Sequence, residues 1–322
     1  YTTLQQFQDM ERHAAPQTLL NWRFQQALYR AYYDAYVRAR LIVETAQETE
    51  AMGLLREAAP HGSLAALDEA EDVLRRGDTE RPAEDWRRRV YALAEALYQS
   101  TRMQLSVEKY GAIGRGRGAT LDGVETPVNN RLWLYDQFAR IRRLPDEGAR
   151  LQEIEKIVNW TDPGPGGFYD DLGNVDRQPH LVRPPTYEQE AGGRYLPGFT
   201  GFGYRPTWRL SWMDHAESYY ESPLTMKYEG LDPSARYRVR VVYAGDISSD
   251  PPQVRLTAND AIEIAPYTAK PQPIAPLEWP VPHEATRGGT LTLNFLPQSG
   301  LRGAGRGIQV AEVWLIREEA AP

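Results

Sequence analysis

The residues best suited to chemistry lie in one stretch, Thr161-Asp162-Pro163-Gly164-Pro165-Gly166-Gly167-Phe168-Tyr169-Asp170-Asp171-Leu172-Gly173-Asn174. Its prolines and glycines predict an irregular backbone, and a Phe-Tyr-Asp-Asp cluster is more than a passive linker needs. Asp170, Asp171, Asn174 and Asp176 place oxygen ligands on a bent chain, which suits calcium, a cation that takes six to eight oxygens. The spacing is not that of an EF-hand loop, whose ligands alternate and end in Glu. Asx bonds capping the turn are the competing use of the same side chains.

Asp214-His215-Ala216-Glu217 is the second group. A glycosidase needs two carboxyls roughly 5 Å apart for retention, or up to about 9.5 Å apart for inversion. Asp170 or Asp171 with Glu217, aided by His180 or His215, is the best acid/base pairing, against the alternative of a hydrogen-bonded structural network. Rings form the third group. Trp160, Phe168, Tyr169, Tyr219 and Tyr220, with His180 and Asp214, make a candidate ligand surface, because sugars stack flat C–H faces on aromatic rings while Asp and Asn take their hydroxyls. Core packing is the competing fate of each ring.

Other chemistries are excluded. The chain has no cysteine, which removes disulfides, zinc–thiolate sites and thiol nucleophiles. His13, His61, His180, His215 and His283 are too scattered for paired-histidine ligation, and no nucleophile-elbow motif is present. Gly114-Arg115-Gly116-Arg117-Gly118 lacks both the preceding strand of a dinucleotide site and the Gly-Lys-Ser/Thr of a P-loop, so it reads as a surface loop. A net charge of -7 argues against a nucleic-acid partner. No apolar run approaches the roughly 20 residues that span a bilayer.

The elements that must position these residues change character along the chain. Its 322 residues, 41% hydrophobic and 25% charged, are those of a globular protein with room for two cores. Up to residue 159 the period is helical. Leu20, Phe24, Leu28, Ala31 and Ala35 form one stripe flanked by Tyr29, Tyr32, Tyr33 and Tyr36. A break at Ala59-Pro60-His61-Gly62 precedes a helix capped by Ser63 and ending near Arg76. Pro82 opens the longest expected helix, running to Lys109-Tyr110-Gly111, and two more cover 128–144 and 146–158. After residue 206 the period becomes two. Trp208-Leu210-Trp212, Tyr237–Tyr243, Val254-Leu256, Ile262-Ile264, Leu291–Phe295 and Val310–Ile316 read as short strands between Gly/Pro turns.

Leu231-Asp232-Pro233-Ser234-Ala235-Arg236-Tyr237-Arg238-Val239-Arg240-Val241, a Gly-Gly turn into Leu291-Thr292-Leu293, and the closing Val310-Ala311-Glu312-Val313-Trp314-Leu315-Ile316 resemble the galactose-binding-like jelly-roll modules. The resemblance covers the last third to half of the chain. It implies a glycan-binding or structural accessory domain of a secreted bacterial polysaccharide enzyme, and hence an extracellular or periplasmic location. A chain that starts at Tyr1 is then expected to follow an upstream domain of the same polypeptide, or to join another subunit.

The expected architecture is therefore α+β and multidomain. Residues 1–159 form an α-helical bundle, 160–206 a Gly/Pro/aromatic connector packed on both halves, and 207–322 an antiparallel jelly-roll-like β-sandwich. The expected function is non-catalytic carbohydrate binding or protein interaction, with calcium as the ion that the loop carboxylates would hold. The alternatives are a glycoside hydrolase or polysaccharide lyase with its site between the halves, using Asp170, Asp171, His215 and Glu217, and a self-assembling structural subunit.

Overall fold

Helices α1 (Thr2–His13), α2 (Pro16–Leu19) and α3 (Trp22–Arg56) open the chain in the computed structural model, which describes residues 2–114, 118–182, 198–201, 207–219, 222–244, 253–298 and 306–318. There follow α4 (Ala58–His61), α5 (Ser63–Thr79), α6 (Glu84–Thr101), α7 (Val107–Tyr110), α8 (Arg131–Ile141) and α9 (Glu147–Val158). These helices make up one compact unit, Tyr1–Asn159, and the strands belong to a second, Trp160–Pro322.

The axis of the first unit is α3, 35 residues long, which packs against α1, α5, α6 and α9. Asn21 starts it by accepting the Arg23 N–H at 2.9 Å. Leu28, Tyr32, Ala35 and Ala39 are buried along it at helical spacing. The tyrosines that flank this stripe pack in the core and tie down their hydroxyls: Tyr29 at 2.8 Å from Thr120 Oγ1, and Tyr32 donating to Glu11 at 2.9 Å. The stretch expected to form one long helix from Pro82 is instead α6 and α7. Arg102 adopts a left-handed φ of 60° that closes α6, and Ser106 starts α7 by accepting the Lys109 N–H at 3.1 Å.

Buried charge joins α3 to α8. Glu44, 3% exposed, accepts from Arg40 Nε at 2.9 Å, Arg131 Nη1 at 2.5 Å and the Val128 N–H at 2.9 Å. Arg131 continues to Asp78 at 2.8 Å. Gly77 lies under this cluster, where a Cβ would sit 2.9 Å from Gln47 Oε1.

The second unit is an antiparallel sandwich. Among the described residues, one sheet has six strands in the order β2-β3-β10-β5-β8 with β1 also paired to β10, and the other has four in the order β4-β9-β6-β7. The strands are β1 (Phe168–Asp171), β2 (Gly198–Gly201), β3 (Asp214–Tyr219), β4 (Leu224–Glu229), β5 (Tyr237–Tyr243), β6 (Gln253–Ala258), β7 (Ile262–Ala269), β8 (Leu277–Val281), β9 (Thr290–Pro297) and β10 (Arg306–Arg317), with a single-turn α10 (His283–Thr286) between β8 and β9. Val239, Val241, Val313 and Leu315 of one sheet meet Met226, Leu256, Leu293 and Phe295 of the other in a continuous core.

Two expectations need correction here. Phe168–Asp171 is a strand and not irregular loop, pairing antiparallel with β10 from Phe168–Leu315 to Asp171–Glu312. The glycines before it shape its entry. A Cβ on Gly167 would lie 2.5 Å from Pro163 O and 2.9 Å from Leu315 O, so only glycine fits that approach. Conversely, Leu210–Trp212 is not strand but a 3₁₀ turn, closed by Trp212 N–H to Arg209 O at 3.0 Å and Met213 N–H to Leu210 O at 3.0 Å. Of the expected connector, residues 160–182 belong to the sandwich unit, while 183–197 and 202–206 lie outside the described residues.

The Glu44 cluster predicts that Glu44→Ala, which leaves Arg40 and Arg131 buried without their carboxylate, lowers the unfolding free energy of the helical unit by about 3–5 kcal/mol. Urea unfolding followed by far-ultraviolet dichroism measures it, and a loss below about 1 kcal/mol would show that these charges do not hold α3 to α8.

Candidate functional site in the sandwich unit

Strand alternation sends Asp170 and Asp171 to opposite faces of the first sheet. Asp170 pairs with Val313 and points into the core, fully buried. Its carboxylate lies 3.0 Å from His180 Nδ1 and accepts the Tyr228 hydroxyl at 3.1 Å and the His180 backbone N–H at 3.3 Å. The His180 ring stacks on Tyr228 at 4.5 Å, and Phe168 meets His180 edge-on at 5.0 Å. Phe168, Asp170 and His180 therefore act together as a link between the sheets.

On the outer face Asp171 stands in register with Glu312. A bulge in β10 between Val310 and Glu312 turns Glu312 outward, although Val310 and Val313 both face the core. Glu312 is fully buried and ringed by donors: Tyr169 OH at 2.7 Å, Trp212 Nε1 at 2.7 Å and Trp160 Nε1 at 3.2 Å. The Arg209 guanidinium covers the Trp160 ring at 4.7 Å from its centroid. Trp160 and Tyr169, expected as sugar-stacking platforms, are thereby committed to the packing around Glu312 and Trp314.

Beside this cage lies a cavity of about 360 Å³ lined by Asp171, Gly173, Asn174, Leu210, Ser211 and Asp214. Asp171 Oδ1 and Ser211 Oγ are buried and have no hydrogen-bond partner among the described residues. Asn174 Oδ1 accepts the Asp176 N–H at 3.0 Å, an Asx bond that shapes the turn, and Asp176 itself is exposed. The four oxygens expected to bind calcium are therefore split: Asp170 points to the core, Asp171 to the cavity, and Asn174 caps its own turn. Among the described residues no group of three or more His, Asp or Glu side chains could hold a metal ion.

The expected acid/base set separates as well. Asp171 and Asp214 line one cavity, but His215 is fully buried and Glu217 is 1% exposed, accepting from Gln309 Nε2 at 2.8 Å. Gln309 in turn accepts from Lys270 Nζ at 2.8 Å. Strand β3 sets this division, since its register places Glu217 opposite Gln309. Tyr219 contributes its backbone to β3, its side chain lies outside the described residues, and so does Tyr220.

Glu312, Ser211 and Arg209 went unnoticed in the sequence. Glu312 carried a usable signal, being one acid inside the apolar run Val310-Ala311-Glu312-Val313-Trp314-Leu315-Ile316. Ser211 carried none, because a serine between two apolar residues looks the same in a strand as in a 3₁₀ turn.

Burial pushes the Asp171 carboxyl up to about 6, and the neighbouring Glu312 charge adds to the effect, while the Gly173 N–H, Arg177 and Arg209 oppose it. Partial burial also raises Asp214. Tyr169 is held well above the ordinary phenol range by burial and by Glu312, which keeps it a neutral donor.

No known protein family matches this chain, and no curated protein matches it. Solved structures similar to part of it include the ANXUR2 extracellular domain from Arabidopsis thaliana, at 12% identity and a TM-score of 0.34 over 47% of this chain and 41% of that one. Tandem CBM51 modules of a family 98 glycoside hydrolase from Streptococcus pneumoniae are similar at 11% identity and a TM-score of 0.27, over 47% of each chain. A family GH115 4-O-methyl-α-glucuronidase with specificity for decorated arabinogalactans is similar at 14% identity and a TM-score of 0.26, over 82% of this chain and 34% of that one. The chain thus spans less than half the length of each of these structures.

A carboxyl raised from 3.8 to about 6 binds its proton more tightly when folded, so its contribution favours folding at low pH and is lost as pH rises through about 6. Asp171→Asn is therefore expected to raise the thermal midpoint at pH 8 and to raise it only about half as much at pH 5, since the loss begins near the unfolded value of 3.8 and is complete above about 6. Equal shifts at the two pH values would show that Asp171 titrates as an ordinary surface acid.

Proposed function

We propose that the second unit is a non-catalytic carbohydrate-binding module whose site is the cavity between Asp171 and Asp214. The observation that carries this reading is the pair Asp171 Oδ1 and Ser211 Oγ, two buried polar atoms left without partners in side chains that line one cavity. An unmet buried polar group costs about 1–3 kcal/mol, and a ligand that supplies the missing bond recovers that cost. A sugar hydroxyl suits both atoms, because it donates to a carboxylate and accepts from, or donates to, a serine. Asn174 and Asp214 add polar groups at the rim.

Glycan-array screening followed by titration calorimetry tests this. Asp171→Ala and Ser211→Ala are each expected to weaken binding at least about tenfold with the fold retained, each having removed one hydrogen bond to the ligand. Asp176→Ala, at an exposed turn, serves as the unaffected control. Binding that persists in both cavity variants would place the site elsewhere.

One observation favours an alternative. Two carboxyls share a cavity, and Asp171, raised to about 6, would be protonated in mildly acidic solution and able to act as a general acid. Turnover of chromogenic glycosides that is lost in both Asp171→Asn and Asp214→Asn would establish a hydrolase. Sugar binding without turnover in the unmodified chain would establish the module.

A further inference from the structure

We infer, resting on the cavity as a sugar site, that it selects neutral saccharides and rejects those carrying a carboxylate. The charges around Asp171 decide this. Glu312 lies directly across from it on β10, fully buried and held by three donors, and Asp214 lines the same cavity. Among the described residues, the cations that reach Asp171 are Arg177 and Arg209. Arg177 is exposed, where solvent screens it, and Arg209 is turned onto the Trp160 ring and toward Glu312 at 3.9 Å.

A uronic acid entering this cavity brings an anion against Asp171 and Asp214, with Glu312 close behind. No described cation is placed to pair with it there. A neutral sugar places a hydroxyl in the same position and donates to Asp171. The two ligands differ by one group, a CH₂OH against a carboxylate, so selectivity between them reads the field of the cavity and not its shape. Repulsion between like charges a few ångströms apart near a protein surface corresponds to roughly tenfold in affinity or more.

The experiment uses the full chain and matched pairs: methyl galactoside, methyl glucoside and methyl mannoside, each against its methyl uronide, at pH 8 and pH 5. At pH 8 the best-bound neutral sugar is expected to exceed its uronide at least about tenfold, and at pH 5, with Asp171 protonated, the gap should narrow. Asp171→Asn should show the narrowed gap already at pH 8. Asp214→Asn should narrow it too, which keeps the test open should the first variant misfold. Asp176→Asn removes an exposed carboxylate and should leave the gap unchanged. A uronide that binds at pH 8 as tightly as its neutral partner overturns the inference while leaving the sugar site intact. Failure of every sugar and every uronide to bind removes the sugar site itself, and the inference with it.

Discussion

The outer half of the sandwich unit depends on one buried carboxylate, Glu312. Moving a carboxylate out of water costs several kcal/mol, and the structure offsets that cost only by converging donors from distant parts of the chain. The Trp160 indole, the Tyr169 hydroxyl and the Trp212 indole approach from three segments of the chain. The bulge in β10 makes the convergence possible, since regular alternation after Val310 and Ala311 would have turned Glu312 inward. Trp160 and the 3₁₀ turn at Leu210–Trp212 are thus tied to the sheet through the same two oxygens that accept from Tyr169 of β1. The cavity exists because that turn and the turn after β1 are held side by side.

The opposite face follows the same rule with different partners. Asp170 is a charge inside an apolar core, tolerated because Tyr228 and His180 supply its hydrogen bonds. Tyr228 lies on β4 of the second sheet and Asp170 on β1 of the first, so the pair ties the sheets together across their interface. Two neighbouring aspartates therefore divide the work. Asp170 contributes to the sandwich, and Asp171 faces the cavity, its proton affinity raised by burial and then by Glu312.

Composition and periodicity made the fold class legible: a helical stripe in the first unit, of which Leu28 and Ala35 are buried while Leu20 is exposed, and alternation such as Tyr237 to Tyr243 in the second. Their physical basis is local, since each pattern reports one face of one element. What stayed hidden was decided by contacts far apart in sequence. Phe168–Asp171 looked irregular because the glycines before it announce a turn, whereas their use is to let the chain pass close to Leu315 on its way into a strand. Trp208, Leu210 and Trp212 alternate as a strand would, yet the Trp212 indole must reach Glu312, and a 3₁₀ turn delivers it. Asp170, Asp171 and Asp176 look like one cluster in sequence. Pairing with β10 separates the first two and leaves the third on an exposed turn.

Gly173, in the lining of the cavity, is a further point of close packing. Gly173 packs so closely on the backbone of Asp214 that a Cβ there would lie 2.6 Å from its carbonyl oxygen. The turn after β1 and the start of β3 are thus in backbone contact at Gly173 and Asp214, and only glycine fits between them. The unmet Asp171 Oδ1 and Ser211 Oγ carry a cost to stability in the free protein. On the proposed reading of the cavity as a sugar site, a ligand hydroxyl that meets these atoms would recover that cost.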